Sequence, residues 1–218
     1  MPGYKLAIDG PAGSGKSTIS SLIAKKLGWT HIDTGAMYRA VTLKAIELEV
    51  DLEDEASYEF LESIFIHYDQ DKIFIDNRDV SEAIRRDEVT SNVSLVSSFP
   101  YVRKKMVDRQ QKAAAIGNVV MDGRDIGTVV LPHANLKIFL DANVEERAKR
   151  RYKEHVKKGS NPKIDQVIED IVIRDQKDST RKESPLRKAS DAITLDTTHL
   201  TIEQVVEKII ELTIKKEK

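Results

Sequence analysis

The run Gly10-Pro11-Ala12-Gly13-Ser14-Gly15-Lys16-Ser17 fits the pattern G-x-x-x-x-G-K-[ST] with no departure. Its glycines let consecutive backbone N–H groups turn inward around phosphate oxygens, where side chains would obstruct them. A helix opening near Lys16 would add its positive N-terminal end. In such a loop Lys16 reaches the β- and γ-phosphates and the Ser17 hydroxyl ligates Mg²⁺. Average residue frequencies produce this match by chance in roughly one chain in a hundred of this length. The motif therefore predicts a nucleoside triphosphate site formed by Gly10 through Ser17, with Thr18 the next residue along. Asp122, ending the apolar run Val119-Val120-Met121, is a candidate for the metal side of that site, directly or through water; a turn residue or helix cap is the alternative. Asp9 ends the first apolar run in the same way. Arg174, Asp178 and Arg181 are spaced i, i+4 and i+7, which places them on one face of a helix.

The elements that must position these residues alternate. Tyr4 to Asp9 alternates apolar and polar residues before a Gly-Pro, which reads as a strand ended by a turn. Ile19, Leu22, Ile23, Ala24 and Leu27 recur at helical spacing, with Gly28 as C-cap. Trp29 to Asp33 reads as a second strand and Ala36 to Val50 as a second helix, the β-α-β-α order of a parallel sheet. Ile64 to Tyr68 and Lys72 to Asp76 flank Asp69-Gln70-Asp71 as an antiparallel hairpin foreign to such a sheet, hence an insertion. A helix from Pro100 to Ile116 returns to the core, followed by strands at 117–122 and 136–141. Charged helices follow at 144–158 and 163–181, then a strand at 192–195 and a last helix at 201–216. In the first of these charged helices Glu145–Lys149 and Glu146–Arg150 are ordinary i, i+4 pairs. Arg147 and Arg151 are like charges four apart and need an anion or another acid nearby.

Composition narrows the function class. With 40% hydrophobic and 33% charged residues in 218, the chain reads as globular rather than membrane-spanning or disordered. It has no cysteine, so disulfides and thiolate metal sites are excluded, and its 5 histidines show no metal-ligand spacing. Lys+Arg of 35 against Asp+Glu of 36 lacks the basic excess of a protein that grips nucleic acid. The opening Met1-Pro2-Gly3-Tyr4-Lys5 has neither the basic nor the apolar region of a secretory signal. A cytoplasmic protein with no membrane and no nucleic-acid partner is expected.

Three further motifs identify a family. With the hairpin insertion, Asp33-Thr34-Gly35-Ala36-Met37-Tyr38-Arg39, Asp122-Gly123-Arg124-Asp125-Ile126-Gly127-Thr128 and the Arg174/Asp178/Arg181 series make the chain resemble the bacterial cytidylate kinases from Leu6 to about the final helix. The resemblance implies an α/β phosphate-loop NTPase fold in three layers, with a five-stranded parallel sheet, an inserted nucleoside-monophosphate-binding subdomain carrying a small antiparallel sheet, and a helical lid. The core would span about 1–34, 105–145 and 182–218, the insertion about 35–104 and the lid about 146–181. It implies phosphorylation of CMP and dCMP by ATP with Mg²⁺, by a monomer.

By the same resemblance, Arg39 and Arg124 grip the acceptor phosphate with Thr34 near it, and Tyr38 belongs to the CMP site; alone, each arginine would read as half of a surface ion pair and Thr34 as a helix N-cap. Arg174 and Asp178 hold the ribose hydroxyls, and Arg181 bridges the transferring phosphates, so that Lys16, Arg124 and Arg181 are the catalytic set. Ser94, Arg103 and Asp125 read the base, and Arg150 is the lid's contact to ATP. Cytosine offers an N4 donor beside N3 and O2 acceptors, which a carboxylate or hydroxyl and a guanidinium complement. Two other readings compete. The acceptor could be UMP, AMP or shikimate, or the chain could be an ATP-gated binding or regulatory module.

Overall fold

The computed structural model describes residues 2–69, 72–157 and 159–217, so Gln70 and Asp71 of the expected hairpin tip, and Lys158, lie outside the described residues. The chain forms two compact units, one of Met1–His31 with Ala114–Lys218 and one of Ile32–Ala113.

The first unit is built on a sheet in the order β2-β6-β1-β7-β8. Its strands are β1 (Pro2–Asp9), β2 (Thr30–Asp33), β6 (Gly117–Gly123), β7 (Leu136–Asp141) and β8 (Ile193–Asp196). β1 runs parallel to both β6 and β7, and β8 parallel to β7. Because β1 is central, Leu6, Ala7 and Ile8 are all wholly buried, and the apparent alternation in its sequence does not correspond to a wet and a dry face. Helices α1 (Lys16–Leu27) and α7 (Ile202–Glu217) cover the sheet, with Ile19 and Ile23 of α1 and Val205, Val206 and Ile209 of α7 meeting Leu6, Ile8, Val120 and Ile138. Trp29 sits at the edge of this core against Tyr4, ring centroids 5.2 Å apart. The parallel register aligns the carboxyl ends: Ile8 stands beside Asp122, and Asp9 beside Gly123 and Phe139. Ligands of open α/β sheets bind outside such ends.

The same unit carries the helix pair α5 (Val144–Lys157) and α6 (Ile164–Thr180), which close on a small apolar cluster of Ala148, Val167 and Ile171. Glu146, rather than Glu145, is the partner of Lys149, and it also pairs with Arg150. The like charges of Arg147 and Arg151 are met separately, by Asp175 and Glu154. α6 ends at Thr180, so Arg181 leaves the helix with extended backbone instead of continuing its face. A turn through Ser184 brings it back, its Nε and Nη2 donating to the Ser184 carbonyl.

The second unit begins at Ile32, near the end of β2, and its first helix is α2 (Thr34–Glu47). The Asp33 carboxylate accepts from the Ala36 N–H, so Asp33 is the N-cap and Thr34 the first helical residue, correcting the cap reading of Thr34. β3 (Ile66–Asp69), β4 (Lys72–Ile75) and β5 (Arg78–Asp79) form the expected antiparallel sheet. Helices α3 (Asp87–Val96) and α4 (Pro100–Ala113) complete the unit, α3 burying Val89, Val93 and Val96 along one stripe. Among the described residues no helix is long and apolar enough to cross a membrane.

Candidate active site

The loop from Gly10 to Gly15 joins the end of β1 to α1. Gly10, at φ 153°, passes so close to β7 that a Cβ would lie 2.1 Å from the Leu140 carbonyl oxygen. Gly13 has the left-handed φ of 73°, and a Cβ there would meet the Arg147 backbone oxygen at 3.1 Å. Neither position accepts a side chain without moving the backbone. Lys16 is buried and folds back over the loop, its Nζ donating to the Pro11 carbonyl at 2.6 Å and to Ser14 Oγ at 3.3 Å. Burial pulls its pKa well below the usual lysine value, and Arg124 and Arg174 push the same way against Asp122 and Asp9. The Ser17 hydroxyl donates to Asp122 Oδ2 at 2.7 Å, which brings the two expected metal-side residues together; Thr18 points to solvent.

Asp9 and Asp122 take different parts. Asp9 accepts the backbone N–H groups of Ile126 and Gly127, at 2.8 and 2.7 Å, and so holds the segment after Arg124 and Asp125 in place. Its burial pushes the carboxyl up to about 6 despite those two bonds. Asp122 accepts from His31 Nε2 at 2.7 Å as well as from Ser17. Sequence spacing among the histidines carries no sign of that role for His31.

A cluster of charges lies in the same unit. Arg124 Nε donates to Asp178 Oδ2 at 2.8 Å, while Arg181 stands 4.0 Å from Asp178 and 3.7 Å from Asp125. Arg174 adds its field to Asp178. Burial alone would raise the Asp178 pKa, but Arg124, Arg174 and Arg181 outweigh it and hold the carboxyl below its usual value. Burial likewise lowers Arg124, and the acids around it, Asp178 with Asp175 and Asp122, more than restore it. Five of the expected residues, Arg124, Asp125, Arg174, Asp178 and Arg181, thus share one electrostatic cluster.

The loop is also tied to the helix pair. Asp175 accepts the Ala12 N–H at 2.9 Å and an Arg147 guanidinium N–H, and Arg147 also donates to the carbonyls of Ala12 and Ala142. Arg150 donates to the Ser14 carbonyl and to the side chain and carbonyl of Thr197. Asp175 is absent from the sequence expectations; the unmatched like-charge pair on α5 was the signal that could have found an acid here.

In the second unit Thr34, Tyr38 and Arg39 lie on α2, Ser94 on α3 and Arg103 on α4. Arg103 is buried, its guanidinium 5.4 Å from the centroid of the Tyr38 ring and its Nη1 donating to the Ser97 carbonyl at the end of α3. Thr34 and Tyr38 are buried, Arg39 and Ser94 half-buried.

A family model described as cytidylate kinase matches residues 6–215. The cytidylate kinase of Acholeplasma laidlawii is 61% identical over 212 residues, 97% of this chain and 96% of that one. This chain belongs to the cytidylate kinase family. The cytidylate kinase of Bacillus subtilis is 52% identical over 211 residues, 94% of each chain. An uncharacterized protein from Eubacterium ventriosum superposes at a TM-score of 0.54 with 11% identity, covering 96% of this chain and 97% of that one, a likeness of fold alone. Membership makes this cytidylate kinase relative a phosphotransferase, and ATP-dependent phosphorylation of a nucleoside monophosphate is the activity it supports.

Proposed function

We propose that the enzyme transfers the γ-phosphoryl group of ATP to CMP and dCMP, giving ADP with CDP or dCDP. The observation that carries this reading is the charge cluster of Arg124, Asp125, Asp178 and Arg181 in the same unit as the phosphate loop. A bare triphosphatase has no use for arginines paired in that way, whereas a phosphate acceptor does.

The loop Gly10–Ser17, with Thr18, binds the ATP phosphates, and Lys16 neutralises the γ-phosphoryl oxygens. The acceptor's phosphate oxygen is ionised near neutral pH, so no protein base removes a proton. Arg39 and Arg124 orient that phosphate beside Thr34, Tyr38 contributes to the CMP site, and Arg181 spans the charge shared between the two phosphates. Alignment and charge neutralisation then account for the rate. Ser17 Oγ and Asp122 Oδ2, oxygens 2.7 Å apart at the loop, suit a hard cation, and they would hold Mg²⁺, Ser17 as a ligand and Asp122 directly or through water. When bound, that ion draws charge from the phosphate oxygens.

Arg174 and Asp178 hold the ribose hydroxyls; Ser94, Arg103 and Asp125 read cytosine. Uracil exchanges donor for acceptor at two of the positions read, leaving buried groups unpaired, which can cost on the order of 10⁴ in selectivity. Residues 35–104 form the acceptor-binding insertion and residues 146–181 a lid, with Arg150 its contact to ATP, that excludes competing water. The enzyme is taken to act as a cytoplasmic monomer.

The test is ADP release from MgATP with CMP, dCMP, UMP and AMP offered separately. Turnover confined to CMP and dCMP is expected. Activity with UMP or AMP instead would remove the roles of Arg103 and Asp125, and silence with all of them would return the chain to a nucleotide-binding module.

A further inference from the structure

His31 lies on β2, which neighbours β6 in the sheet, and its Nε2–H donates to Asp122 Oδ1 at 2.7 Å. The other oxygen of the same carboxylate accepts the Ser17 hydroxyl, also at 2.7 Å. Asp122 is 2% exposed, and a buried carboxylate keeps its charge only where donors replace water. Two donors on opposite oxygens, from residues 91 and 105 positions away in the chain, fix both the rotamer and the plane of the carboxylate. With its proton committed to Asp122, the Ser17 oxygen presents lone pairs elsewhere, and lone pairs are what an oxygen-binding cation requires. His31 Nε2 faces the carboxylate, so through that nitrogen it acts on Asp122 rather than as a ligand.

We infer that His31 is a positioning residue for the metal side of the phosphate loop, holding Asp122 so that Ser17 and Asp122 meet Mg²⁺ in one preset arrangement. The inference rests on the assignment of Ser17 and Asp122 to that ion. Partners standing behind metal ligands typically change metal affinity by about 10–100-fold when removed. His31→Leu should therefore weaken the coupling between Mg²⁺ and nucleotide while leaving the phosphate cradle, made by other residues, as it is.

The experiment is calorimetric titration of ADP with excess Mg²⁺ and with excess EDTA, on the whole chain and on His31→Leu, His31→Gln, Ser17→Ala and Asp122→Asn. The enhancement of ADP affinity by Mg²⁺ should fall about tenfold in His31→Leu, with metal-free ADP affinity unchanged. His31→Gln, whose amide N–H reaches about as far, should recover most of it. Equal weakening with and without Mg²⁺ would assign His31 a merely structural role and overturn the inference. So would full coupling in His31→Leu where Ser17→Ala and Asp122→Asn have lost it. Full coupling in all three would remove the metal assignment itself, and the role of His31 with it.

Discussion

Arg124 donates from Nε to one oxygen of Asp178 at 2.8 Å, and Arg181 approaches the other oxygen to 4.0 Å. The side chains of Arg181 and Asp178 are each 6% exposed, so water does little to screen them. Asp178 faces Arg124 and Arg174, the two arginines that disfavour the charge on Lys16. Asp178→Ala leaves Arg124 without its partner, and removing one member of a buried pair costs about 3–5 kcal/mol. The variant is expected to lose stability on that scale in denaturant melts and to bind CMP more weakly through the lost ribose contact. Unchanged CMP kinetics would remove Asp178 from the acceptor site.

Two carboxylates make opposite contributions to the dependence of stability on pH. Asp178 is held below its usual pKa, so its contribution is present above that value and lost as pH falls through the depressed one. Asp9 is pushed up to about 6, chiefly by burial, so the folded state binds its proton more tightly than the unfolded chain does. Its contribution is full below about pH 4 and is lost as pH rises through about 6, about 3 kcal/mol for a displacement of that size. Denaturant midpoints of the natural chain and Asp9→Asn between pH 4 and 7 check this. The stability difference between them should move against the natural chain as pH rises, and a flat difference would show Asp9 ionised throughout.

Lys16 makes a separable prediction. Its ammonium is buried, satisfied by the Pro11 carbonyl and Ser14 Oγ, and opposed by Arg124 and Arg174, so the fold gains nothing from its charge. Lys16→Met should melt at or above the natural temperature. Removing a preorganised donor to transition-state charge costs about 10²–10³ in kcat. Natural turnover in this variant, measured as ADP release with CMP, would refute the role given to Lys16.

The phosphate loop was legible because its chemistry lies within consecutive residues whose glycines, lysine and serine each have one purpose. The central strand was legible as a strand but not as doubly buried, since burial of Ala7 depends on which strands flank β1. Arg181 shows a limit of periodicity: spacing extends a helix to it, whereas the helix stops at Thr180 and a turn through Ser184 returns the guanidinium to Asp125. His31 and Asp175 were illegible for a different reason. Each acts on a partner far along the chain, 91 residues for Asp122 and 163 for Ala12, and only sheet order and helix pairing bring them there. Local pattern thus specifies the loop and its charged side chains, while the groups that hold them in place depend on topology.

Asp175 offers the clearest test of that division. It accepts the N–H of Ala12 inside the phosphate loop and balances Arg147, which itself donates to the Ala12 carbonyl. Both polar groups of the Ala12 backbone are therefore committed to the α5–α6 pair, so the loop's shape depends on those helices. Asp175→Ala strands a backbone N–H and takes the counter-charge from a largely buried guanidinium, an expected loss of about 1–3 kcal/mol. Asp175→Asn keeps an oxygen for the Ala12 N–H but gives up both its charge and its hydrogen bond to Arg147, so it should lose less than Asp175→Ala. Because Asp175 has no part in the acceptor roles given above, the KM for ATP should rise in both variants, more in Asp175→Ala, while the KM for CMP stays near its natural value. Steady-state kinetics with each substrate varied in turn checks this, and an ATP KM unchanged in Asp175→Ala would show that the loop keeps its shape without the helix pair.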